Sequence, residues 1–148
     1  METYDLSRFR KAQEGDYCIA LEEIKNGRKR SHWMWYIFPQ LKGLGHSWIS
    51  DYYGLDGIGE AKAFLDDPLL KSHLLEISSV LLNLEDNDAR HVMGYPDDLK
   101  LRSCMTLFAT ADPDESVFQE VLDKFYAGEP DPITLRLLVK EKSMKAEL

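Results

Sequence analysis

Lys29, Arg30, Ser31 and His32 stand directly before Trp33 and Trp35, and side chains able to do chemistry are densest in this run. An imidazole titrates near neutrality, so His32 is a candidate general acid or base, with Glu60 the carboxyl candidate for the same task. Lys29, together with Lys100 from a distant stretch, can hold a phosphate or carboxylate. Trp33 and Trp35 can stack on a base or sugar ring, and Gln40, Ser47 and Ser103 can hydrogen-bond its edges. Together they describe the wall of a pocket for a small anionic ligand, such as a nucleotide or an ADP-ribose-like molecule. The same residues have a plainer account. Large aromatics build cores, and polar groups buried among them must be paired. Both accounts stay open at this level.

Other chemistries find less support. The histidines at 32, 46, 73 and 91 show no HxxxH or HExxH spacing, and the cysteines no CxxC, so no metal site is expected. His73 lies beside an apolar helical stripe and reads as a packed histidine. The glycines at 43, 45, 54, 57 and 59 fit no dinucleotide or P-loop pattern, although Gly57-Ile58-Gly59 before a helix can offer backbone N–H groups to an anion. Ser103-Cys104 lies in a helical stretch rather than on a nucleophile elbow, and Cys104 reads as a small core residue. No cofactor is implied.

Of 148 residues, 44% are hydrophobic and 30% charged, as in an ordinary globular protein. We expect a single domain over residues 1–148, with its core at 6–140 and a charged tail at 141–148 that frays. The net charge of −8 argues against general nucleic-acid binding and against an anionic membrane surface. The local basic cluster of Lys25, Arg28, Lys29 and Arg30 suits a small anion better than a polymer. No apolar run approaches the roughly 18 residues of a membrane span. The N-terminal METYDLSRFRK lacks the charged head and apolar stretch of a secretory signal. Cys18 and Cys104 make no disulfide framework, so a reducing cytoplasm is the expected compartment.

The elements that must position these residues read as helices. A short helix over 9–13 is interrupted at Gly15, and Asp16 caps a second whose apolar residues Tyr17, Ala20, Leu21 and Ile24 share a face. Asn26-Gly27 stops it. Residues 31–38 fit a short helix ended by Pro39 or a buried strand, with the balance toward helix. From Gln40 to Gly59 the glycines predict an irregular connection of about 18 residues, a length that usually serves binding. A helix follows over 58–65. Asp67-Pro68 then opens one striped with Leu70, Leu74, Ile77 and Leu81. Asp88 caps a short helix stopped at Gly94, and Tyr95-Pro96-Asp97-Asp98 starts the next. Asp112-Pro113 and Asp131-Pro132 repeat the cap-and-proline signal for the last two. The expected fold is mainly α, a single compact domain of seven or eight short helices with a long glycine-rich loop.

The motif residues resemble a family of small bacterial proteins of unknown function, also found in some fungi and sometimes labelled calpastatin. The resemblance rests on Arg8 to Gln13, on a core of Gly27, Lys29, Ser31 to Tyr36, Phe38 to Gln40, Gly43 to Gly45 and Ser47, on Glu60-Ala61, and on Asp97, Lys100, Leu101, Ser103 and Met105 to Phe108. It spans residues 6–140 and implies a mainly helical fold with no established activity. The calpastatin label fits poorly, because calpastatin is disordered and repetitive and this chain reads as folded.

A second functional class competes with the pocket. Trp48, Tyr52 and Tyr53 in the glycine-rich stretch can form an exposed patch that holds a protein partner, as yet unspecified, or another copy of the chain. Under a third reading the polar motif residues only brace the core.

Overall fold

Nine helices are seen in the computed structural model, which describes residues 3–146: α1 (Ser7–Lys25), α2 (Met34–Ile37), α3 (Trp48–Tyr53), α4 (Gly57–Asp66), α5 (Pro68–Asn83), α6 (Ala89–Met93), α7 (Asp97–Ala111), α8 (Ser116–Tyr126) and α9 (Pro132–Ala146). The only β pairing among the described residues is an isolated parallel bridge between Leu41 and Leu55. The fold is therefore mainly α. No helix among them is long and apolar enough to cross a membrane.

The core is built around α7, whose Leu101, Cys104, Met105, Leu107 and Phe108 are fully buried. Its helix is covered by α8, α4, α6 and α9, while α5 bridges α1 to α8. A row of rings runs through the centre, from Phe9 to Phe64 (5.2 Å), Phe108 (5.4 Å) and Phe118 (5.7 Å between centroids). All four rings are fully buried, so truncating one to alanine removes about 3–5 kcal/mol of packing.

Several cap signals act as expected. The Asp67 carboxylate accepts from the Leu69 and Leu70 amides with Pro68 in the first turn, and Asp88 accepts from those of Arg90 and His91. Gly94 ends α6 at φ 81°, in the left-handed half of φ space that glycine enters freely. Asp131 accepts from the Thr134 amide at the start of α9.

Three local expectations are corrected. Gly15 does not interrupt α1, which is one continuous helix because Phe9, Gln13, Tyr17, Ala20 and Ile24 are buried on both sides of it. Asp112-Pro113 forms a turn, and α8 starts later, at Ser116. The stretch from Gln40 to Gly59 is not irregular throughout, since it contains α3 and the first turn of α4. At 31–38 one helical turn, α2, forms, in line with the balance toward helix, and the Ser31 hydroxyl before it is bonded to Glu23.

Candidate functional site

The basic run after α1 is folded back by one carboxylate. Glu23 Oε1 accepts the amides of Arg30 (2.7 Å) and Ser31 (2.9 Å) and the indole N–H of Trp33 (2.9 Å), and Oε2 accepts the Ser31 hydroxyl (2.5 Å). Burial alone would raise the Glu23 carboxyl, but these bonds outweigh it and push its pKa down to about 2. Trp33 is 1% exposed. Its ring is core and its N–H is spent on Glu23, so it offers no stacking face to a ligand.

Asp97, at the start of α7, joins the two predicted lysines. Its Oδ2 lies 2.9 Å from Lys29 Nζ and its Oδ1 3.2 Å from Lys100 Nζ. The Lys29 ammonium also donates to the Ser31 carbonyl and sits 4.9 Å from the Trp33 ring centroid. The Lys100 ammonium lies 3.8 Å from the centroid of Trp35, which is only partly buried. Lys29, Trp33, Trp35 and Lys100 are thus brought together, with two cations sharing one carboxylate.

The remaining candidates fall elsewhere. Glu60 is buried and takes both guanidinium nitrogens of Arg8 (3.2 and 3.3 Å) and the Asp56 amide (2.8 Å). Arg8 continues to the carbonyls of Tyr52 (2.7 Å) and Gly54 (3.3 Å), so the pair ties α1, the end of α3 and the start of α4 into one unit. His32 is exposed. Its carbonyl accepts from the Tyr36 hydroxyl, which also donates to Asp16. His32 and Glu60 share no partner, and nothing in the geometry pairs them as acid and base. Ser47 caps α3 by accepting the Ser50 amide at 3.2 Å. The Gln40 carbonyl receives the Leu55 amide, next to the short bridge.

Ser103 belongs to a third cluster. Its hydroxyl donates to the Leu99 carbonyl and to Asp131 Oδ2, both at 3.1 Å. The same Oδ2 accepts the Thr134 hydroxyl (2.6 Å), while the Asp131 amide donates to the Thr106 hydroxyl (2.8 Å). These groups latch α9 onto α7. Cys104 beside them is fully buried, and burial raises its thiol pKa, the reverse of what a nucleophile needs. His73 stacks on Tyr17 with centroids 3.7 Å apart and its Nδ1 is 2.7 Å from Gln13 Oε1; burial lowers its pKa. No group of three or more His, Cys, Asp or Glu side chains placed to hold a metal occurs among the described residues.

Among the cavities that open on the surface are three of about 650, 420 and 610 Å³. None of these three is lined by Lys29, His32, Trp33, Trp35, Gln40, Ser47, Glu60, Lys100 or Ser103. The anion site expected at Gly57-Ile58 is occupied from within, because the Ile58 amide donates to the Glu141 carboxylate at 3.2 and 3.3 Å.

The most exposed large apolar residue of the chain among those described is Trp48, at 75%. Tyr52, one turn later on α3, is 51% exposed, and the two ring centroids are 6.3 Å apart. Tyr53 turns inward and packs on Phe9 (5.9 Å) and Tyr36 (5.1 Å). Glu23 is an organising residue that the sequence did not single out, and the tertiary partners of Arg8, Asp97 and Asp131 were not visible there either. One local signal was the i,i+3 spacing of Asp97 and Lys100. Asp131 also gave a local one, its cap on the Thr134 amide, whereas its bonds to α7 and those of Arg8 to Glu60 and of Glu23 to Trp33 span distances the fold creates.

Residues 3–138 match the family described as Protein of unknown function (DUF1810). The chain is also similar to a solved structure, the conserved hypothetical protein Rv1873 from Mycobacterium tuberculosis, at 42% identity and a TM-score of 0.91. That likeness covers 93% of this chain and 99% of the other. No curated protein matches the chain.

Proposed function

The chain belongs to the DUF1810 family of proteins of unknown function, and we propose that it is a recognition module that docks a protein partner through Trp48 and Tyr52. The observation that carries this reading is the exposure of Trp48, 75%, on a helix whose backbone is held by Arg8 and by the Ser47 cap. An aromatic anchor on a backbone already held in place gives up less freedom on binding, which favours its acting as an interface hot spot. The chain's charge of −8 favours a partner with a basic surface and disfavours a second copy. The cytoplasm suits this reading, because Cys18 and Cys104 are both free thiols.

The test places a photo-crosslinking residue at position 48 in cells, with one at the exposed Ile19 as control, and identifies adducts by mass spectrometry. We expect a discrete partner from position 48 alone, whose purified form binds Trp48→Ala about tenfold or more weakly. Equal affinity for Trp48→Ala, or the same adducts from both positions, overturns the reading.

A second reading keeps the small anionic ligand, a nucleotide or ADP-ribose-like molecule, at Trp35 and Lys100. It is supported by the Lys100 ammonium 3.8 Å from a ring that stays partly open. Thermal shifts with nucleotides and ADP-ribose, lost in Lys100→Ala, are its expected result; no shift in the wild type removes it.

A further inference from the structure

Helix α9 carries four cations, Arg136, Lys140, Lys142 and Lys145, against the single carboxylate of Glu141, on a chain whose net charge is −8. Two cavities flank its C-terminal half and share Glu141 and Lys145 as a common wall. The smaller, about 420 Å³, has sides formed by Ile58, Leu135, Leu138 and Val139, with the exposed Lys142 and Lys145 beside them. Val139 is 66% exposed although its neighbours on the groove are apolar. The Thr110 hydroxyl in the same wall already donates to the Thr106 carbonyl.

We infer that this groove binds a single-chain anionic amphiphile, an unbranched acyl chain ending in a carboxylate. The volume lies within the range of small-ligand sites, roughly 300–1,000 Å³. The choice of occupant follows from the chemistry of the walls. A peptide laid in the groove would bring backbone N–H and C=O groups against aliphatic side chains that cannot pair them. A hydrocarbon chain brings none. Its head group is anionic, because the one carboxylate in the wall, Glu141, is taken up by the Ile58 amide and by Lys145 (3.1 Å), while Lys142 has no ion-pair partner among the described residues. This site is separate from the aromatic pair on α3 and does not depend on it.

Titration of the full chain with dodecanoate, below its micelle concentration, tests the assignment, with dodecanol, sulfate and anionic vesicles as comparisons. Saturable one-to-one binding of dodecanoate is expected, with a rise in Tm. Val139→Asp, a change at an exposed position that leaves the fold intact, abolishes it. Lys142→Glu weakens it about tenfold, and dodecanol binds less tightly than dodecanoate. The assignment is overturned by the absence of saturation, by affinities that neither variant changes, or by sulfate giving the same shift. Binding to vesicles without binding of soluble dodecanoate overturns it in favour of a membrane surface.

Discussion

The indole N–H of Trp33 donates to Glu23 Oε1 at 2.9 Å, and this bond fastens the aromatic run to α1. The ring is 1% exposed, so its N–H has no water to fall back on. Glu23 therefore explains why Trp33 and the basic run before it pack against α1. Glu23→Ala strands the indole N–H and frees two backbone amides and a hydroxyl. It is expected to lower stability by about 2–4 kcal/mol in denaturant unfolding.

The same carboxylate sets a pH dependence. Its folded pKa of about 2 lies below the ordinary 4.5, so its contribution is complete above pH 4.5 and disappears as the pH falls toward 2. Urea midpoints of wild type and Glu23→Gln, followed from about pH 6 to about pH 3, should converge as the pH drops. Curves that stay parallel assign the acid loss to other groups.

Arg8 and Glu60 yield the next expectation. Removing Arg8 leaves a carboxylate whose side chain is 6% exposed without its cation, a change of about 3–5 kcal/mol for a buried pair. Arg8→Ala also releases the carbonyls of Tyr52 and Gly54. Hydrogen exchange should therefore quicken at residues 50–55 more than in α7. Uniform acceleration across both would show that Arg8 contributes only to global stability.

Much of the fold was legible because caps are local. Asp67-Pro68, Asp88 and Asp131-Pro132 act on amides two or three residues ahead, and each marks a helix start in the structure. Gly15 misled for the opposite reason: a glycine inside a helix opposes it by only about 1 kcal/mol, less than the burial around it supplies. Between 40 and 59 glycine content overstated the disorder of the path, because Ser47 caps a helix there. The site was less legible. Lys29 and Lys100 were paired from afar, but the Asp97 that lies between them, the Glu23 that holds Trp33, and the outward face of Trp48 are products of tertiary packing.

Asp131 shows how one such product can be measured. Its Oδ2 serves Ser103, the Thr134 amide and the Thr134 hydroxyl, and Thr134 is fully buried. Asp131→Ala should lower stability by about 2–3 kcal/mol and loosen α9 from α7. Ser103→Ala, which removes one of those three bonds, should cost about 1 kcal/mol. A larger effect at Ser103 than at Asp131 would move the centre of the network.

The last expectation concerns Gly57, which sits at φ 73° with its missing Cβ position in hard contact with the Glu141 carboxylate. Alanine there meets two separate penalties. Left-handed backbone opposes any L side chain by about 1–2 kcal/mol. The new methyl must also push the Glu141 carboxylate off the Ile58 amide, which it now caps at 3.2 Å. Glu141→Ala already lacks that capping bond, so in its background Gly57→Ala should retain only the backbone penalty. A double-mutant cycle should accordingly show coupling of about 1 kcal/mol, with the pair less destabilised than the sum of the single changes. Strict additivity would mean that Glu141 swings aside freely and that the carboxylate contributes nothing to the start of α4.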